Sequence, residues 1–179
     1  MHKQLCSSFS VKFRNSELER VSSLKFLGVW FEETLSWTDH INHIRSSISR
    51  SIAILYKLKH LLPCWLKCQL YYSFIQSDLH YCLLVWGTTT KTNLDRLLGL
   101  QKKAVRCIEN LHYTDHSAPY FAKYRILDIP QLFILKLAMR IYREYNSDQY
   151  EFCEIFHPKT TQYYLRNDIY TKPKINMTD

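Results

Sequence analysis

Six cysteines and eight histidines are the first residues to test for chemistry in this chain of 179 residues. Cys64 and Cys68 stand one helical turn apart, half of what a structural zinc site needs, since zinc takes four ligands, usually as two close pairs. Downstream the same segment offers only His80 and Cys82, set among apolar residues, so these thiols read as buried or incidental. A thiol nucleophile would need an imidazole beside it in a cleft, which no spacing here marks, and no Gly-x-Ser-x-Gly elbow is present. Two-metal phosphoryl transfer needs clustered carboxylates. The aspartates are scattered with no Asp-Asp pair, and Glu32-Glu33 follow a strand, where neighbours point to opposite faces, so they read as a solvated turn.

The cations are better organised. In "LGLQKKAVRCIENLH" (98–112) and the residues before it, a helical walk puts Leu94, Leu97, Leu98, Ala104, Val105 and Ile108 on one face. Arg96, Lys102, Lys103 and Arg106 fall on another, with Gly99 leaving a low spot among them. Arg50 and Lys57 form a similar stripe on an earlier segment, and Lys136, Arg140 and Arg143 on a later one. Lys plus Arg outnumber Asp plus Glu 24 to 16, for a net charge of +8, which favours a polyanionic partner. Phosphate contacts need only correctly spaced cations and give affinity without base specificity. With three glycines in all, a Gly-rich phosphate loop and a turn-rich all-β fold are both disfavoured.

The elements that must carry these stripes are mainly helical. "SFSVKFR" (8–14) and "SLKFLGVWF" (23–31) read as strands, with "NSELERV" supplying a turn and short edge between them. Such a patch is too small to stand alone and looks like the margin of a larger sheet. A helix follows from about Thr38 to Leu62, capped by Ser36 or Thr38 and stopped by Pro63, with Ile41, Ile44, Ile48, Ile52, Leu55 and Leu58 on one face and His43, Ser46, Arg50 and Lys57 opposite. The segment from Pro63 to Gly87 is apolar almost all round and is expected to be one central buried helix. Asn93 is the expected cap of the basic helix. Ser117 and Pro119 open a short helix, and Pro130 opens a last one to Asn146, with Leu137, Ala138, Ile141, Tyr142 and Tyr145 facing inward. Beyond Ser147 the chain is polar, aromatic and weakly patterned, as in a loosely attached tail. No run approaches the length of a membrane span and no signal-peptide core opens the chain, so the expected location is intracellular, nucleus or cytoplasm, with no membrane partner.

Five stretches in order carry a resemblance: "LKFLGVWFEETLSWTDHI" (24–41), "ILYKLKHLLP" (54–63), "LYYSFIQSDLHYCLLVWG" (70–87), "LLGLQKKAVRCI" (97–108) and "SAPYFAKYRILDI" (117–129). The chain resembles, from about Phe9 to Arg166, the C-terminal part of the reverse transcriptase encoded by non-LTR retrotransposons of the jockey-like, LINE type. The resemblance implies that Lys25–Val29 is the edge of a polymerase palm sheet and that Trp37 onward is a thumb-like region holding the template–primer duplex. It implies packing roles for Trp37, Tyr81, Trp86 and Gly87. Gln101, Lys102, Lys103, Ala104 and Arg106 match the family's "LQKRAxR" segment, which would grip the duplex backbone. "TQYYLRNDIY" is similar to a Tyr-x-Thr-Arg element of the family's tail, with Leu165 in the Thr position. The family's aromatic-x-Asp-Asp motif, its Mg2+ site, its fingers and its endonuclease belong to regions absent from this sequence.

The resulting expectation is a mainly α protein: a β palm-edge remnant over 1–35, a helical thumb-like bundle over 36–146 and a tail over 147–179. Its role would be to grip an RNA–DNA hybrid or duplex backbone through Arg50, Lys57, Arg96, Lys102, Lys103, Arg106, Lys136, Arg140 and Arg143. The missing palm and fingers would be its protein partners. It would hold no cofactor and would not polymerise on its own. The competing expectation is a helical interaction or structural remnant with no nucleic-acid role.

Overall fold

A computed structural model of the chain describes residues 11–14 and 16–145. The tail over 147–179 lies outside the described residues. The fold is mainly helical with two small antiparallel sheets of two strands each. The chain forms two compact units, Met1–Ile129 and Pro130–Asp179.

The N-terminal strands differ from the expected pattern. β1 (Val11–Phe13) pairs with β2 (Ser16–Leu18), and β3 (Ser23–Phe26) pairs with β4 (Val29–Glu32). The stretch over 23–31, expected as one strand, is thus a hairpin that reverses at Leu27 and Gly28. Both residues have positive φ, 46° and 82°, the backbone of a two-residue primed turn that matches strand twist. Phe26 is exposed and Val29 buried, so the two do not share an open apolar patch.

The first helix, α1 (Thr38–Leu58), ends four residues before the expected Leu62, in turns that lead to Pro63. Neither Ser36 nor Thr38 caps it. Trp37 holds the cap position at φ 63°, and the Glu32 carboxylate accepts hydrogen bonds from the Asp39 backbone N–H and the Ser36 hydroxyl. A carboxylate from the end of β4 therefore takes up a helix N–H that would otherwise be orphaned. Ile41, Ile44, Ile48 and Leu55 are buried as their spacing requires, while Ile52 and Leu58 are only half-buried.

The segment after Pro63 is not one continuous helix. α2 (Cys64–Leu70) widens into a π-helical stretch, Tyr71–Gln76, then narrows to α3 (Ser77–His80). The chain breaks at Tyr81–Cys82, with Cys82 at φ 49°, and resumes as α4 (Leu83–Trp86). The Trp86 indole N–H donates to the Tyr81 carbonyl at 2.7 Å, satisfying an acceptor that the break frees. The Tyr81 hydroxyl donates to the Leu27 carbonyl, pinning the β3–β4 turn to this break. Lys67, Tyr71, Ile75, Leu79 and Leu83 are buried at four-residue intervals, and Trp86 with them. Trp65, Phe74 and Tyr81 on the same segment are exposed, because only one side of it meets α1 and the next long helix.

That helix, α5 (Lys91–Glu109), lies against α1. Its cap position is Thr90. Asn93, the expected cap, sits inside the first turn, buried, with its amide donating to the Thr89 hydroxyl at 3.0 Å. Leu97, Ala104, Val105 and Ile108 fill the core, with Leu94 and Leu98 half-buried at its margin. Truncating one of the buried aliphatics to alanine is expected to cost about 2–5 kcal/mol. Trp37, Trp86 and Gly87 are buried packing residues. α6 (Ala118–Lys123), with Ser117 in its cap position, packs on α5.

In the second unit, α7 (Ile129–Tyr145) starts one residue before Pro130. Leu132 is buried, but Leu137, Ala138 and Tyr142 from the expected inward face are exposed, and Ile141 is half-buried. The side chain of Tyr145 lies outside the described residues. Apolar spacing marks a face that can be covered, and spacing alone supplies no cover.

Candidate nucleic-acid interface

Two polar residues are buried in the core, and each ties α5 to a neighbouring part of the chain. Lys67 is 0% exposed. Its ammonium donates to the Lys59 carbonyl at 3.1 Å, the Cys107 carbonyl at 3.4 Å and the Asn110 side-chain oxygen at 3.0 Å. All three N–H donors are thus used on the C-terminal ends of α1 and α5, where carbonyls lack intrahelical partners and the helix dipole favours a cation. Asn110 stops α5 in the left-handed conformation at φ 59°, and the Leu111 N–H closes the end by donating to the Arg106 carbonyl at 2.9 Å.

Gln101 is the second such residue. Its amide donates to the Tyr71 hydroxyl at 2.9 Å and the Leu127 carbonyl at 3.2 Å, and its oxygen accepts the Ile129 N–H at 3.1 Å. Burial pushes the Tyr71 hydroxyl well above the ordinary range, so it stays protonated. Gln101, one of the residues matched to the basic segment, therefore ties the π-helical stretch to the chain leading into α7.

The helix pair so fixed leaves an open groove of about 660 Å3 beside it. From α1 and the turn after it come Ile52, Ala53, Tyr56, Lys57 and Lys59; from α5 come Leu100, Lys103, Arg106 and Cys107. Leu111, His112 and Tyr113 close one side. Four cations line it and no carboxylate does. The Arg106 guanidinium donates through Nε to the Asp115 carbonyl at 2.8 Å, which fixes its direction. The Lys59 ammonium lies over the Tyr56 ring, 4.4 Å from its centroid.

Lys57, Lys103 and Arg106 are thus brought together from two helices that sequence reading treated separately. Arg50, Arg96 and Lys102 are exposed on the same helices but do not line the groove. Lys136, Arg140 and Arg143 lie on α7, where Arg140 is ion-paired with Glu144 one turn along, so that stripe is of mixed sign. Gly99 adds nothing to the lining and leaves open space above its backbone. The sequence reading missed Lys59, Tyr56, His112 and Tyr113. The available signal was an aromatic and two lysines in the last turn before Pro63, and an aromatic pair just after the Asn110 stop.

Among the described thiols, Cys107 is buried, Cys68 and Cys82 are half-buried and Cys64 is exposed. Burial pushes Cys107 and Cys68 upward, away from the reactive thiolate. Cys64 donates weakly to the Ile108 carbonyl at 3.4 Å. Among the described residues no group of three or more His, Cys, Asp or Glu side chains is placed to hold a metal ion. Glu32 is engaged in the α1 cap, where its carboxylate accepts the Asp39 N–H and the Ser36 hydroxyl. Among the described residues no helix is long and apolar enough to cross a membrane. No protein-family model matches the chain, and neither does any curated protein or solved structure.

Proposed function

We propose that this chain is a thumb-like, nucleic-acid-binding piece of a retrotransposon RNA-directed DNA polymerase, gripping the template–primer backbone and carrying no catalytic centre of its own. The observation that supports the reading is the groove in which Lys57, Lys59, Lys103 and Arg106 converge from two helices with no acidic residue among them. Cations at such spacing neutralise successive phosphates and release their counterions, giving affinity that does not depend on base sequence. The β hairpins stand as palm edge in this reading. Their exposed Phe13, Leu24 and Phe26 suit a sheet completed by other strands, and equally favour the second reading, a helical remnant that docks on a protein and binds no nucleic acid.

Binding of an RNA–DNA hybrid and a matching DNA duplex across a salt series tests the proposal. Four engaged phosphates give a log–log slope of about −3.6 on B-form DNA, and Lys103→Glu with Arg106→Glu should reduce it by about 1.8 without changing sequence preference. An unchanged slope in the double variant would remove this groove from the interface. Absence of binding at low salt, from a chain shown to be helical by circular dichroism, would leave the docking remnant.

A further inference from the structure

The groove is built unlike a surface that meets phosphates alone. Between its cations the walls are apolar, formed by Ile52, Ala53, Leu100 and Leu111. Two aromatic rings stand at it largely in water, Tyr56 at 59% exposure and Tyr113 at 78%. The His112 ring leans on Tyr113 at 4.5 Å, and its Nδ1 is hydrogen-bonded to the Thr114 hydroxyl at 2.9 Å, so the second ring is held rather than trailing. Backbone contacts to a duplex use neither apolar walls nor rings, because a duplex keeps the faces of its bases inside the stack. Cations interleaved with exposed rings are what an unpaired strand uses, its phosphates on the charges and its bases on the aromatic faces. A volume of about 660 Å3 falls in the range of sites that enclose small planar molecules and suits a base or two.

We infer that the groove takes an unpaired stretch of nucleic acid, with a base laid on Tyr56 or Tyr113 and the flanking phosphates on Lys57, Lys59, Lys103 and Arg106. The inference rests on the proposed nucleic-acid role and deepens it, from backbone grip to recognition of single strand. A base arriving at Tyr56 replaces the Lys59 ammonium on the ring, and the released ammonium meets the incoming phosphate.

The test compares three probes of equal phosphate number at one low salt concentration: a single-stranded oligonucleotide, the same strand made wholly abasic, and a blunt duplex. The intact strand should bind more tightly than the abasic one by about 5- to 150-fold for each stacked base. Tyr56→Ala with Tyr113→Ala should remove that advantage and leave the salt slope as it was, whereas Tyr56→Phe with Tyr113→Phe should retain it. Equal affinity for intact and abasic strands, or wild-type affinity in the double alanine variant, would overturn the single-strand inference while leaving backbone grip standing. If none of the three probes binds, the nucleic-acid role itself falls.

Discussion

Replacing Lys67 with methionine keeps an unbranched apolar stem of four heavy atoms and removes the charged head. The ammonium makes two short charge-assisted bonds, to the Lys59 carbonyl and the Asn110 side chain, and a longer one to the Cys107 carbonyl. Bonds to a charged donor are worth about 1.5–3 kcal/mol each, so the two short ones contribute about 3–6 kcal/mol. Against this stands the cost of burying an ammonium, several kcal/mol even after relaxation, which the substitution returns. With the offset taken as about half of that contribution, the net loss is about 2 kcal/mol, equivalent to a Tm lower by about 4–8 °C for a chain of this size. Thermal melts followed by circular dichroism measure it directly. Asn110→Gly, which retains the left-handed backbone but deletes one acceptor, should be less than additive with Lys67→Met, since both remove the same bond. A Lys67→Met protein as stable as wild type would refute the reasoning and show that the desolvation cost matches everything the three acceptors return.

Three other outcomes are expected. Gln101→Leu should destabilise by about 2–4 kcal/mol in urea titrations, because the Tyr71 hydroxyl and the Ile129 N–H both lose their partner in a buried place. Charge reversal at Lys103 and Arg106 should flatten the salt dependence of duplex binding, as read by anisotropy, without a loss of stability beyond about 0.5 kcal/mol for the exposed Lys103. His40 is buried against Trp86, both ring nitrogens lack a hydrogen-bond partner, and burial followed by the nearby His43 and Lys25 lowers it to about 4. The unfolded chain binds this proton near the ordinary value of 6.5, so stability is full above that pH and falls as pH drops toward 4, by at most about 1.4 kcal/mol per unit. His40→Phe should flatten the decline between pH 6.5 and 5, before carboxylates titrate.

What was legible in the sequence was whatever depends on one element at a time. The buried faces of α1 and α5 follow from spacing because a helix repeats its own geometry, and Ile41, Ile44, Ile48, Leu97 and Ile108 lie where that repeat puts them. The Leu27–Gly28 reversal was hidden because leucine rarely holds a positive φ and the flanking residues read equally well as one strand. The Cys82 break carries neither glycine nor proline to announce it. Lys67 drew no reading from sequence, and Gln101 only a match to the basic segment. The groups that let them inside come together only in the fold: the ends of α1 and α5 for Lys67, and Tyr71, Leu127 and Ile129 for Gln101. Half of the groove was legible for the same reason. Lys57, Lys103 and Arg106 stand out on their own helices, but Tyr56, Lys59 and Tyr113 gain meaning only once α1 lies beside α5.

The widened π turn between Tyr71 and Gln76 has a consequence for how this region tolerates changes in length. Buried residues recur there every fourth position from Lys67 to Leu83. In a regular α-helix such a repeat creeps about 40° around the axis at each step, which would carry the later members out of the core. The extra residue held in the wide turn takes up part of that creep, keeping the Lys67 side and the Leu79 side in phase. Deleting one residue from Tyr71–Gln76 would let the turn tighten to an ordinary α-helix while the flanking residues stay nearly in phase, because the widening and the residue it holds leave together. The segment thus works as a buffer of length, and a single-residue deletion within it should be tolerated better than one in the middle of α1 or α5, where no wide turn takes up the lost rotation of about 100°.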